Sequence, residues 1–306
     1  MGRLPLTCLD KLAMDQKNYS IIIPHKNSSQ LLERCLKSIP QRVDVEVIVV
    51  DDQSDDYEEL QKVVSLFPHV GLYTNEGYGA GGARNTGLSK AKGKWLLFAD
   101  CDDYYVSGFM KELDKHINED IDVLYFNFNE FRDGQTTAVE EKISNYIKGC
   151  AEGRVNADFV KYRNNAPWNK MVKRDFVETF DIRFEEQSIA NDMFFSFQVG
   201  YLCRHYLVIN SYLYNYIVYR KSQTNRDWNK EKIKTFLENI SKYNGFVTFI
   251  NHKEWTHGLP FICFQLYKYR NMKRTFAVLC YYFSHFESIR KVRQKYSIIL
   301  GQQKDI

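Results

Sequence analysis

Hydrophobic and polar positions follow two rhythms along the first half of the chain. Tyr19-Ser20-Ile21-Ile22-Ile23 is a short apolar run closed by Pro24, the pattern of a strand buried on both faces. Leu31, Leu32, Cys35, Leu36 and Ile39 then recur at helical spacing, and Pro40 stops them. Val45-Glu46-Val47-Ile48-Val49-Val50 predicts a second strand running directly into Asp51-Asp52, followed by a helix over Tyr57 to Leu66. A third strand falls near Val70 to Tyr73. A glycine-rich turn and a helix from Arg84 to Lys90 lead to the fourth, Trp95-Leu96-Leu97-Phe98-Ala99, which runs into Asp100-Cys101-Asp102-Asp103.

Strands separated by helices in this rhythm are βαβ units. They predict an α/β fold with a largely parallel central sheet flanked by helices. In such sheets ligands bind just beyond the carboxyl ends of the strands, where both acidic clusters lie. A helical segment is expected around Ala151 to Tyr162, then a mixed region to Tyr219. Apolar positions recur at helical spacing from Ile233 through Ile250 and from Phe261 through Phe286, which predicts a helical C-terminal appendage.

Composition narrows the class. Of 306 residues 44% are hydrophobic and 26% charged, ordinary for a globular chain, whereas aromatics reach 15%. No apolar run approaches the ~18 residues of a membrane span. Asp10, Lys11 and Asp15 interrupt the stretch where a secretory h-region would lie. Seven widely spread cysteines (8, 35, 101, 150, 203, 263, 280) with no CxxC favour reduced thiols in the cytosol over disulfides or structural zinc.

The net charge of +4 hides an asymmetry: residues 226–306 carry 15 basic and 6 acidic side chains, residues 1–225 carry 27 and 32. Such a basic, aromatic tail fits an anionic membrane surface or lipid-linked substrate, or else a solvated helical face. Without an accompanying motif, nucleic acid is not an expected partner.

Three carboxylates within Asp100 to Asp103 repel one another unless a cation neutralises them. Oxygen ligands suit Mg²⁺ or Mn²⁺ shared with substrate phosphates; helix capping is the plainer use of such aspartates. In Asp51-Asp52-Gln53-Ser54-Asp55-Asp56, an Asp can accept from a base or ribose, while Ser54 or Asp55 could cap the helix from Tyr57. Gly77-Tyr78-Gly79-Ala80-Gly81-Gly82 contains GxGxxG, the dinucleotide fingerprint, but after the wrong strand. A loop whose backbone approaches a ligand, delivering Arg84 to a phosphate or base, accounts for it better. His25 reads as structural, and an Asp placed as Asp192 is before a helix is usually an N-cap.

Taken in order, Ser20 to Asn27, Val47 to Asp56, Gly82 to Leu88 and Gly93 to Asp103 resemble a family 2 glycosyltransferase with the type A nucleotide-sugar fold. Pro167-Trp168-Asn169-Lys170, Asn191-Asp192 and Leu213-Tyr214-Asn215-Tyr216 also resemble family segments. The resemblance implies that Asp52 contacts the base, with Pro24 and Arg84 lining the same pocket. It implies that Asp100 lies near the ribose, that Asp102 holds Mg²⁺ or Mn²⁺ on the diphosphate, and that Asp192 is the general base of an inverting reaction. Asn191 departs from the Glu usual before that base, and His25 and Lys26 depart from the small or aromatic residues common after the first strand.

The expected protein is therefore a metal-dependent inverting glycosyltransferase using a nucleotide-diphosphate sugar, most simply a UDP-sugar. Its expected acceptor is a glycan or lipid-linked hydroxyl in surface polysaccharide synthesis, at the cytoplasmic membrane face. Residues 1–17 form an extension, 18–225 the catalytic domain (18–110 for the nucleotide, 111–225 for the acceptor) and 226–306 the basic helical region. The alternatives are an NAD-dependent dehydrogenase resting on Gly77 to Gly82, and a catalytically silent binding module made plausible by Asn191.

Overall fold

The structure is a computed structural model that describes residues 17–132, 135–136, 141–219 and 230–258. Residues 1–16 of the expected extension and the helical pattern over Phe261 to Phe286 lie outside the described residues. The chain divides into two compact units, Met1–Glu186 with Asn191–Tyr219, and Gln187–Ala190 with Arg220–Ile306.

The first unit opens with β1 (Tyr19–His25), α1 (Ser29–Ser38), β2 (Val45–Asp51), α2 (Tyr57–Ser65), β3 (Val70–Thr74), α3 (Gly79–Lys90) and β4 (Trp95–Phe98). These four strands are parallel in the order β3-β2-β1-β4, with Ile21 opposite both Val47 and Leu97. Each central strand is buried end to end because helices cover both faces, so its apolar run shows no alternation. The chain continues through β5 (Tyr104–Tyr105), α4 (Phe109–Leu113), β6 (Val123–Arg132), β7 (Gln135–Thr136), α5 (Glu141–Ala151) and α6 (Asp158–Tyr162). It closes with β8 (Lys170–Lys173), α7 (Arg174–Thr179), α8 (Met193–Leu202) and β9 (Tyr206–Val218). The sheet extends from β4 through β8, β6 and β9 to β5; β8 runs antiparallel to both β4 and β6, and β6 and β9 are again parallel. The expected α/β architecture, a largely parallel sheet flanked by helices, is the one found.

Two elements differ from the sequence reading. Helix α3 begins at Gly79, so Gly81 and Gly82 are helical rather than part of a turn. A Cβ on Gly81 would overlap the Glu185 carbonyl, and one on Gly87 would overlap Ile22. Gly81 and Gly87 therefore let α3 lie close against Glu185 and Ile22. The single segment expected over Ala151 to Tyr162 is instead the end of α5 and all of α6, separated by Gly153 at φ +71°.

The second unit contains α9 (Lys230–Phe249), at the position the Ile233–Ile250 periodicity predicts, and a 3-10 turn at Lys253–Trp255. Asn244 exchanges two hydrogen bonds with the His257 backbone, and the Tyr243 and His257 rings stack at 4.7 Å. Among the described residues no helix is long and apolar enough to cross a membrane.

Candidate active site

The candidate site lies at the carboxyl ends of β1, β2 and β4. The β1–β4 ladder ends at Ile22–Phe98, with one more bond from Ala99 N to Ile22 O, whereas β1 and β2 stay paired to His25 and Asp51. Pro24 is buried in β1 opposite Val50, past the last β4 bond, where its missing N–H costs no ladder partner. His25 is buried: Ser28 N donates to its Nε2 at 3.3 Å, so Nδ1 carries the proton and faces Asp51 Oδ1 at 3.1 Å. The structural reading of His25 therefore holds, and Asp51 is occupied by it and by Ser54 N. Asp52 is half-buried, accepting from Asn75 Nδ2 at 2.6 Å and pairing with Lys26 Nζ at 3.3 Å.

The expected capping by Ser54 or Asp55 is corrected by the structure. Neither residue occupies the N-cap position of α2, and Asp56, which does, makes no side-chain cap there. Its carboxylate accepts from Ser29 N and Oγ instead, at the start of α1. This keeps it below the ordinary carboxylate range against the opposing effect of burial.

The three aspartates after β4 divide their roles. Asp103 is buried, accepting from Tyr214 Oη at 3.0 Å and Ile217 N at 2.7 Å; this ties the turn to β9. Burial pushes its carboxyl well up, and Asp100 and Asp102 push further. Asp100 N donates to the same Tyr214 hydroxyl, and Arg34 holds the Asp102 carbonyl while its guanidinium covers the Tyr104 ring. Only the Asp100 and Asp102 carboxylates remain for a ligand. Burial, with Asp100 second, raises the Asp102 carboxyl to about 6.

Arg84 projects from α3 and joins two loops. Its Nη2 donates to Asp100 Oδ1 at 2.5 Å and its Nη1 to Asn191 Oδ1 at 2.7 Å, with the guanidinium over Phe184. It thus engages the aspartate turn and the residue before Asp192. Asp192 stands at the N-cap position of α8 but makes no capping hydrogen bond, so the usual use of such an Asp does not account for it. Burial raises its carboxyl; Arg84 and then Lys170 oppose the rise, and Asp100 adds to it.

Two segments that the sequence named without assigning roles also converge. Trp168 stacks between Tyr214 and Tyr216 at 4.9 and 5.2 Å, packing the Pro167–Lys170 segment on β9. Lys170 is completely buried. Sequence reasoning missed Lys170 and Arg34: the Trp-Asn-Lys run signalled the first, whereas nothing local marked Arg34 among the polar positions of α1.

Among the described residues no three His, Cys, Asp or Glu side chains converge to hold a metal unaided. The donor set still fits a shared Mg²⁺ or Mn²⁺, because such ions take one or two carboxylates and complete their shell with phosphate and water. Asp100 and Asp102 would supply the two carboxylates; burial first, and the neighbouring Asp100 second, raise the Asp102 carboxyl to about 6, and a bound cation would offset that rise.

Three comparisons bear on what this arrangement serves. A family profile described as Glycosyl transferase family 2 matches residues 20–180. The chain is 26% identical over 285 residues to the putative glycosyltransferase EpsH of Bacillus subtilis (strain 168), covering 87% of this chain and 76% of that protein. It is 29% identical over 119 residues to the UDP-Glc:alpha-D-GlcNAc-diphosphoundecaprenol beta-1,3-glucosyltransferase WfgD of Escherichia coli, 38% of this chain and 47% of that one. Its fold matches the crystal structure of S. aureus TarS 1-349 in complex with UDP-GlcNAc at a TM-score of 0.62 and 19% identity, over 94% of this chain and 92% of that one. The chain belongs to glycosyl transferase family 2 and is a glycosyltransferase that draws on a nucleotide-sugar.

Proposed function

We propose that this family 2 enzyme is a metal-dependent inverting transferase that moves a sugar from a UDP-sugar to a hydroxyl of a glycan or lipid-linked acceptor. The observation that carries the reading is the Arg84 bridge, 2.5 Å to Asp100 and 2.7 Å to the residue before Asp192. It joins the carboxylates suited to a donor diphosphate to the carboxylate suited to a proton. The UDP-GlcNAc bound by the TarS structure and the undecaprenol-linked acceptor in the WfgD name support the donor and acceptor classes.

In this reading residues 18–110 hold the donor and 111–225 the acceptor. Pro24 and Asp52 line the base pocket, Asp52 exchanging its contacts with Asn75 and Lys26 for the base. Asp100 faces the ribose and Arg84 steadies it. Asp102 would hold Mg²⁺ or Mn²⁺, which when bound would supply Lewis-acid stabilisation to the departing diphosphate. Asp192 takes the proton of the attacking hydroxyl, a contribution of typically ~10²–10⁴-fold. One base suffices for a single displacement, so no protein nucleophile is required. The dehydrogenase alternative loses its footing, because residues 20–180 match glycosyl transferase family 2.

A thermal-shift panel of nucleoside diphosphates and their sugars, with and without Mn²⁺, tests the reading, since a ligand of the folded state raises its stability. UDP and one UDP-sugar should stabilise the protein only with the cation, and NADH should not. Stabilisation by NADH alone, or by UDP equally well in chelator, would contradict it. Release of UDP from the stabilising UDP-sugar separates an enzyme from a silent binding module. The membrane part stands on the basic 226–306 region; flotation with anionic vesicles decides it, and indifference to anionic lipid removes it.

A further inference from the structure

Arg34 stands on α1 beside the apolar face that Leu32, Cys35 and Leu36 bury. Its guanidinium lies on the turn that follows β4. Nη2 donates to the Asp102 carbonyl and, at 3.1 Å, to the Tyr219 hydroxyl, and Cζ sits 4.9 Å from the centre of the Tyr104 ring. Neither acceptor is charged, and among the described residues Nε stays buried without a hydrogen-bond partner. That arrangement is costly for a cation, and a solvated polar side chain would serve the helix without it. The rest of the turn has other anchors. Asp100 N donates to Tyr214 Oη at 2.9 Å, and the Asp103 carboxylate accepts from Tyr214 Oη and Ile217 N. Beyond them Tyr105 N donates to Ser38 Oγ at 3.0 Å. Between these points the Asp102 carbonyl is held by Arg34. Helix α1 is itself fixed without Arg34, since Ser29 N and Oγ donate to Asp56 at its start and its apolar face joins the core.

We propose that Arg34 is a positioning residue for the transfer reaction: by holding the Asp102 carbonyl against α1 and Tyr219, it keeps the Asp102 carboxylate set for the donor's cation. This rests on the reading of Asp102 as the carboxylate that holds the metal. A cation shared between one or two carboxylates and phosphate tolerates little error in ligand direction, and the groups that orient a ligand from outside matter for affinity. The Nη2 amide-like fork carries a hydrogen for each of its two acceptors, so one group serves the turn and Tyr219 together. Tyr219 directly follows β9, the strand that supplies Tyr214 and Ile217. The grips on the aspartate turn thus come from one end of β9 and from α1, and Arg34 touches both sides. A lysine ammonium could reach the carbonyl but lacks the flat face that covers Tyr104.

The test is Mn²⁺ titration of the intact chain with UDP present, followed by water-proton relaxation enhancement, which reports cation bound to protein. Urea unfolding of the metal-free protein runs beside it. Arg34→Met should raise the Mn²⁺ concentration at half-saturation by about tenfold. Arg34→Lys should recover part of that loss, and Tyr219→Phe, which leaves the carbonyl contact in place, should move half-saturation the same way by a smaller factor. A merely structural arginine would lower the urea midpoint of Arg34→Met yet leave its Mn²⁺ half-saturation within about twofold of wild type, and that result overturns the proposal. Should Arg34→Met not fold, wild-type half-saturation in both Arg34→Lys and Tyr219→Phe overturns it equally. Failure of the metal reading looks different: Asp102→Ala would then hold Mn²⁺ as tightly as wild type.

Discussion

Arg84 Nη2 lies 2.5 Å from Asp100 Oδ1, a charged contact between a helix that follows the third strand and a turn that follows the fourth. Its other arm reaches Asn191, 107 residues further along the chain than Arg84, so one planar guanidinium fixes the Asp100 turn and the Asn191 loop together. Arg84→Ala should lower the unfolding free energy by about 2 kcal/mol, the scale of a lost hydrogen bond to a charged group. Arg84→Lys should recover part of that stability but little turnover, because a point charge cannot span both partners. Urea denaturation and initial rates on the same preparations check this.

Asp192→Asn should lower turnover by ~10²–10⁴-fold while nucleotide affinity stays within about twofold. Initial rates beside calorimetric UDP titration separate the two. Equal loss of both would place Asp192 in donor binding instead.

With its carboxyl near 6, Asp102 competes with protons for a cation. Below pH 6 Mn²⁺-dependent UDP affinity should fall by up to about tenfold per pH unit. The metal-free protein shows the opposite sign. A carboxyl raised on folding stabilises at low pH, and that stability is lost as pH climbs through 6. Thermal unfolding from pH 4.5 to 7.5, with Mn²⁺ and with chelator, should give curves that diverge upward, and parallel curves would contradict the assignment.

Gly81→Ala should be severe for a surface-distant reason. The added methyl meets the Glu185 carbonyl, so α3 must move away from that loop and carry Arg84 with it. A loss of about 1–3 kcal/mol is expected from overpacking alone, with turnover falling further than stability. Far-UV circular dichroism melts and rates at saturating donor check it.

Tyr214→Phe should cost about 1–3 kcal/mol, the penalty of leaving buried Asp103 short of a donor. Because the same hydroxyl receives Asp100 N, UDP affinity should weaken several-fold while kcat changes less. Proteolytic susceptibility and UDP titration test the pair of effects.

Much of residues 18–110 was legible because its strands are continuous apolar runs and its acidic clusters follow them directly. Residues 79–90 show the limit: glycine disfavours an isolated helix, and only packing against Glu185 and Ile22 makes a Gly-rich helix the better solution. The aspartate cluster gave the right turn but not the division of labour, because Asp103's partners Tyr214 and Ile217 lie over a hundred residues away. The antiparallel strand β8, four residues long with a lysine at its head, carries no alternation to announce it. For the same reason the burial of Lys170 was invisible, although the Trp-Asn-Lys run was noticed.

Calorimetric titration of UDP into wild type and Asp102→Ala, each with Mn²⁺ and with chelator, tests the account most directly. Wild type should bind UDP only with the cation, and Asp102→Ala should lose at least about tenfold of that affinity, or 1.4 kcal/mol. Cation-independent binding by wild type, or full Mn²⁺-dependent binding by Asp102→Ala, would contradict it.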